Sequence, residues 1–363
     1  MSAQIIICCG SGGVGKTTTS AALALQWAAT GNRVCVLTID PAKRLADSLN
    51  IGSIGGEPTP IPLPDSDGQC DAVMLDVEET FEKLIRRFSD SPEAASNILN
   101  NRYFQFASTR LGGVHEYMAA EKVRELAVCG QYDAIIVDTP PTRNALDFLR
   151  APERMAELMN GSVMRWMTMP ATGSGWRALE LGSEAVTRVL RLLVGHGTIS
   201  EIAQFFSLFR ELWDGFHSRS MEVKALFRDE STRFLLVTSP SPAARAEALF
   251  FLEQLKQQEM PFGGFLINRM ELPLPPSTAP LPDTGPGDWG STIAQIAALN
   301  DIQSKLCSLH EQSVASLIES GPPDSPSWRI PHQGRPVNNL QDLMKIGEHL
   351  PSREQLHQPG RDT

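Results

Sequence analysis

The chain has 363 residues, 42% of them hydrophobic and 20% charged, enough apolar side chain for a sizeable core and too much for a wholly disordered chain. Lys and Arg number 32 against 42 Asp and Glu, and the resulting net charge of −10 argues against broad binding to a nucleic-acid phosphate backbone. Six cysteines, none spaced as CxxC, argue against a disulfide scaffold or a four-cysteine zinc site, and the absence of a signal-peptide pattern or a long apolar span sets the expected location as the cytoplasm, free or at the membrane periphery.

The first apolar run, residues 5–9, reads as a buried strand. Directly after it comes Gly10-Ser11-Gly12-Gly13-Val14-Gly15-Lys16-Thr17, which fits GxxxxGK[ST], and then a helical pattern over residues 20–28. Strand, glycine loop and helix are the context in which backbone N–H groups turn inward around phosphate oxygens. Gly12, Gly13, Val14, Gly15, Lys16, Thr17 and Thr18 are therefore the expected nucleotide contacts. Lys16 is expected to reach the β- and γ-phosphates of ATP, and Thr17 to ligand Mg2+.

Residues 34–38 form a second strand pattern, followed by Asp40-Pro41. From the spacing alone Asp40 has two readings. It faces a γ-phosphate and orients the attacking water, or it caps a helix whose first residue is Pro41. Residues 72–75 make a third strand pattern, and a helical piece spans residues 77–129. The apolar run 134–137 ends at Asp138, where a carboxylate that holds Mg2+ through water belongs.

Almost a hundred residues without a strand signal follow, and their apolar spacing is helical. They are expected to be an inserted helical subdomain, over about 78–129 and 150–230. Met155, Met159, Met164 and Met167 cluster there with Trp166. Methionine suits surfaces that accept varied apolar partners, so the cluster reads as a client-binding groove or, equally, as core between the helices. The stripe from Phe205 to Phe216 reads as core.

Strand patterns return at residues 234–238 and 265–267, the latter followed by Asn268. A proline-rich loop is expected over 271–290, a helix over 291–319, a short strand at Arg329-Ile330-Pro331, a helix over 339–350 and a frayed tail over 351–363. Strands without internal alternation, separated by helices, predict an α/β fold with a doubly wound, mostly parallel sheet. The motifs run from residue 10 to 268, so a single nucleotide domain of 1–363 is expected, interrupted by the helices.

Gly10–Thr18, Asp40-Pro41-Ala42-Lys43-Arg44-Leu45 and Asp138–Leu149 together resemble the arsenite-pump ATPase family, which includes the guided-entry ATPases that target tail-anchored membrane proteins. Asn268-Arg269, Ile330-Pro331 and residues 340–350 extend the likeness over most of the chain. It implies a P-loop NTPase fold and a dimeric Mg-ATPase. By that likeness Asp40 is the catalytic carboxylate of switch I. Asp138, Pro140, Thr142 and Arg143 belong to switch II. Asn268 binds the adenine edge, with Pro331 also at the nucleotide. It further implies a hydrophobic, membrane-protein-like client and a partner that is a second copy or a paralogous ATPase subunit.

Two features depart from the family pattern. Ser11 stands where the family carries a signature lysine, so charge at the transition state has to come from elsewhere, such as Arg143, Lys43 or a paralogous partner. The segment after Asn268 has no CxxC, so no zinc clip between subunits is expected. The alternative functions are an arsenite-efflux subunit, for which no cysteine cluster can be assembled, and a regulatory subunit that binds nucleotide with little hydrolysis.

Overall fold

The structure is a computed structural model that describes residues 3–40, 44–49, 51–63, 66–101, 113–159, 199–273 and 289–357. At its centre stands β1 (Gln4–Cys9), buried along its whole length. Ile5, Ile7 and Cys9 enter one apolar core and Ile6 and Cys8 the other, so the strand is apolar throughout because both faces are covered. β2 (Arg33–Thr38), β4 (Gln69–Met74), β5 (Ala134–Asp138), β6 (Thr232–Thr238), β7 (Phe262–Met270) and β8 (Ser327–Pro331) join it in an eight-stranded sheet, with β3 (Thr59–Ile61) at one edge. The order is β3-β4-β2-β5-β1-β6-β7-β8, and every pairing is parallel except β3 with β4. This is the expected doubly wound, mostly parallel α/β fold.

β3 is absent from the sequence reading. It holds three residues with Pro60 in the middle, and a proline is tolerated in an edge strand because one side needs no ladder donor.

α1 (Lys16–Ala29) follows β1 and lies on one face with α2 (Arg44–Leu49) and α10 (Leu340–Gly347), sealed around Trp27 and Leu343. The other face carries α3 (Val77–Phe88), α4 (Pro92–Leu99), α5 (Val114–Val128), α6 (Thr142–Met159), α7 (Ile199–Arg228), α8 (Pro242–Gln257) and α9 (Trp289–Glu319). The single helical piece expected over 77–129 divides because Asp76 and Ser91 each accept from a backbone N–H three residues on, and Pro92 opens α4. Phe216 of α7 packs 5.5 Å from Phe88 and 6.0 Å from Tyr117, ring centre to ring centre. That end of the expected Phe stripe is core, whereas the side chains of residues 199–211 lie outside the described ones.

The stretch read as a frayed tail begins with a docked turn, α11 (Arg353–His357). Trp27 Nε1 donates to the Pro351 carbonyl at 2.8 Å, Arg353 donates to Asn32 and to the Asp133 carbonyl, and Leu356 is buried. A single apolar side chain and one arginine carry that contact, too little to stand out in a polar tail. The proline-rich segment 274–288 lies outside the described residues. Among the described residues no helix is long and apolar enough to cross a membrane.

Candidate functional site

The order in which strands are added reverses at β1, with the strands themselves parallel. β2 and β4 fan out on one side and β6, β7 and β8 on the other, and such a switch point opens a crevice at the carboxyl ends of the strands. The glycine loop leaves β1 at that point. A Cβ on Gly10 would lie 2.0 Å from the Val237 carbonyl oxygen of β6, so only glycine lets the chain turn there. Gly15 has φ 95° and precedes α1 without a side-chain cap. The amides of the first helical turn are thus left for an anion at the positive end of the helix.

Lys16 is 7% exposed, and its Nζ donates to the carbonyls of Gly10 at 3.0 Å and Ser11 at 2.9 Å. Burial holds its pKa below the usual lysine value, while the Asp138 and Asp40 carboxylates pull the other way. Thr17 Oγ1 donates to Asp138 Oδ2 at 2.8 Å across 121 residues of sequence. Thr38 Oγ1, opposite Asp138 in the β2–β5 register, donates to the same oxygen at 3.2 Å. Asp138 is 1% exposed, and its Oδ1 is buried with no hydrogen-bond partner among the described residues. Burial pushes its carboxyl up to about 6, against the pull of Thr17 and Lys16.

A hydroxyl oxygen beside a carboxylate with an unsatisfied oxygen is a hard-donor set. It fits Mg2+, which takes one or two protein oxygens and completes its shell from phosphate and water. Asp40 lies just beyond the end of β2, half-buried, with Arg44 Nη1 3.4 Å from its Oδ2. α2 begins at Arg44 rather than at Pro41, and residues 41–43, with Lys43, lie outside the described ones.

Asn268 reaches the loop from the end of β7. Its Nδ2 donates to the Val14 carbonyl at 2.8 Å, and its Oδ1 accepts from the Arg269 backbone N–H. In this conformation the side-chain amide braces the glycine loop, and a Cβ on Gly15 would sit 2.2 Å from its Nδ2. Pro331 pairs with Met270 at the same edge of the sheet. Pro140 is half-buried after β5, and the next residue, Pro141, lies against Gly12, where a Cβ would be 3.9 Å away. Thr142 and Arg143 open α6, but their side chains are outside the described ones.

The sheet therefore brings Lys16, Thr17, Asp40, Asp138 and Asn268 to one end. Met155 is half-buried on α6 and Met159 closes that helix, away from this cluster in sequence. The Met159 side chain, Met164 and Met167 lie outside the described residues.

Sequence reasoning passed over Thr38, Thr139 and Arg44. Thr139 Oγ1 donates to the Cys8 carbonyl at 2.8 Å and so ties the end of β5 to β1. Thr38 was findable by counting to the end of β2, level with Asp138. Cys8 and Cys9 are fully buried, one on each face, and burial pushes the Cys8 thiol up to about 12. Among the described residues no group of three or more His, Cys, Asp or Glu is arranged to hold a metal ion.

The sequence profile of the anion-transporting ATPases matches residues 3–278. ATPase BagA of Mycobacterium tuberculosis is 24% identical over 266 residues, 72% of this chain and 63% of the relative. ATPase ARSA1 of Chlamydomonas reinhardtii is 28% identical over 294 residues, 74% of this chain and 35% of the relative. ATPase GET3B of Arabidopsis thaliana is 25% identical over 296 residues, 74% and 64% respectively. The chain thus spans less than two thirds of the length of these relatives.

Proposed function

The chain belongs to the anion-transporting ATPase family, and from that premise we propose that it is a magnesium-dependent ATPase switch whose nucleotide state rearranges the helices on one face of the sheet. One observation carries the reading: Thr17 and Asp138, 121 residues apart, meet at 2.8 Å beside the buried ammonium of Lys16. Such a convergence of cation, hydroxyl and carboxylate at a helix N-terminus has a direct use in phosphoryl transfer.

In this reading the first-turn amides of α1 and the backbone of residues 12–18 hold the β-phosphate. Lys16 exchanges the Gly10 and Ser11 carbonyls for β- and γ-phosphate oxygens. Thr17 and Asp138 hold Mg2+, which when bound neutralises charge building on those oxygens. Asp40 accepts a hydrogen bond from the attacking water and orients it in line. The water oxygen bonds to the γ-phosphorus and the bond to the β–γ bridging oxygen breaks. ADP leaves with that electron pair, and the water proton passes through Asp40 to the products. Asn268 and Pro331 flank the loop on the base side.

Loss of the γ-phosphate then changes what Asp138, Pro140, Thr142 and Arg143 touch, and α6 carries the change outward. One nucleotide domain interrupted by helices 78–129 and 150–230 is the architecture this needs. The client is a hydrophobic, membrane-protein-like segment met by Met155, Met159, Met164 and Met167, and the working unit pairs the chain with a second copy or a paralogous subunit in the cytoplasm.

Turnover of MgATP by the purified chain tests the reading. Saturable hydrolysis is expected, with Asp138→Asn lowering kcat by about a thousandfold. Unchanged turnover in Asp138→Asn would sink it. Client handling is tested separately, by crosslinking an apolar helical peptide to the chain with ATP and with ADP. Equal yields in the two states would remove the coupling.

A further inference from the structure

We propose that Arg44 is the cation this chain brings to the γ-phosphate, and that its ion pair with Asp40 holds both side chains in reserve until ATP arrives. The inference rests on the ATPase reading and deepens it.

The argument begins with charge. Lys16 is the buried cation of the site, and its ammonium is bound to the Gly10 and Ser11 carbonyls. Asp138 and Asp40 stand near it. Mg2+ held at Asp138 would offset that carboxylate, which leaves Asp40 as the negative group an entering γ-phosphate meets. Ser11, inside the loop, brings no charge. Among the described groups whose charge acts on Lys16, burial being the largest influence, Asp138 and Asp40 are the carboxylates and Arg44 is the cation. One cation there balances the second carboxylate.

Geometry allows the exchange. Arg44 Nη1 lies 3.4 Å from Asp40 Oδ2, and the arginine side chain is 65% exposed against 19% for the aspartate. An exposed i,i+4 pair at that distance is weak and gives way readily to a stronger anion. A guanidinium presents its N–H groups as a planar fork that matches two phosphate oxygens better than one carboxylate oxygen. Arg44 opens α2 and Asp40 closes the run after β2, so one short segment carries both groups. When the guanidinium turns to the γ-phosphate it leaves Asp40 Oδ2, and that oxygen then accepts from water. ADP, lacking that phosphate, leaves the pair intact.

The experiment measures MgATP turnover and the affinities for ATP and ADP in the wild type, Arg44→Ala, Arg44→Lys, Asp40→Asn and Lys16→Ala. Thermal unfolding serves as the fold control. Arg44→Ala is expected to lower kcat by about a hundredfold to a thousandfold and to reduce the ATP-over-ADP preference, with ADP affinity within about twofold. Arg44→Lys is expected to recover part of the loss. Asp40→Asn is expected to bind ATP more tightly than the wild type, since it no longer competes for Arg44, and adding Arg44→Ala is expected to cancel that gain. Wild-type kcat and an unchanged ATP-over-ADP ratio in Arg44→Ala would overturn the inference. Where the wild type binds ATP without turnover, the affinity ratio alone decides. Equal ATP affinity in the wild type and Lys16→Ala would instead overturn the ATPase reading beneath it.

Discussion

Two regions that bury ionisable side chains, the carboxyl edge of the sheet and the seam between α5 and α7, hold them differently. At the sheet edge Lys16 is fixed by two backbone carbonyls and Asp138 by two threonine hydroxyls, so neutral groups position each charge. Between the helices Glu121 and Arg219, both buried, face each other at 3.3 Å, with Arg124 3.9 Å from the same carboxylate oxygen. Arg219 also bonds Glu222 and lies over the Phe88 ring. Neutral holders leave a charge free to change partners, as a ligand site requires. Reciprocal charges instead tie α5 and α7 to one register.

The sharpest test exchanges one buried cation in each region. Lys16→Met is expected to abolish measurable nucleotide binding, a loss of about a thousandfold or more, while leaving stability nearly unchanged, because it removes a charge that burial already disfavours. Arg219→Met is expected to do the reverse. It leaves nucleotide affinity intact and costs about 3 kcal/mol of stability at pH 8, since buried Glu121 loses the nearer of its two cations. Calorimetric titration with ATP and urea unfolding of both variants check the pair. Equal losses in both properties would erase the comparison.

The pH dependence sharpens it. Burial pushes Glu121 up to about 7, outweighing Arg219 and Arg124, which pull it down. A carboxyl raised in the folded state gives stability that is complete below its unfolded value, near 4.5, and is lost as the pH rises through about 7. The Arg219→Met penalty is therefore expected to shrink between pH 8 and pH 5, where Glu121 holds a proton. A penalty of the same size at both values would show that packing of the guanidinium over Phe88, not charge, is what the mutation removes.

A smaller effect is expected at Gly15→Ala, whose new methyl would meet Asn268 Nδ2 at 2.2 Å and whose φ of 95° disfavours alanine. ATP affinity should fall about tenfold, and Asn268→Ala in the same chain should restore part of it because the clash is gone. No recovery would place the whole cost in the backbone conformation. Thr38→Val is expected to be the mildest, about 1 kcal/mol of stability by urea unfolding, as one of two donors to Asp138 is lost.

The glycine loop, the strand-end carboxylates and most strands were legible because each is a local pattern, glycines at fixed spacing or a short apolar run closed by an aspartate. Asn268 stands out only through resemblance, since a strand-end asparagine is an ordinary turn residue. Its partner, the Val14 carbonyl, lies 254 residues away. α1 begins at Lys16, four residues before its apolar periodicity does, because its first turn is polar and helical periodicity is carried by apolar side chains. Arg44 gave no signal of its own. It reads as a solvated helix residue until the fold sets it beside Asp40, where its charge also acts on Lys16.

By itself the sequence determined the fold class, the glycine loop between β1 and α1 and the net charge of −10. All three depend on composition and near-neighbour spacing, which the chain carries before it folds. Tertiary structure decided which groups share an environment. Parallel pairing of β2, β5 and β1 brings Thr38, Asp138 and the glycine loop to one edge, and helix packing buries Glu121 against Arg219. Burial and distance set the strength of every charge in this protein, and neither exists until the strands are in register.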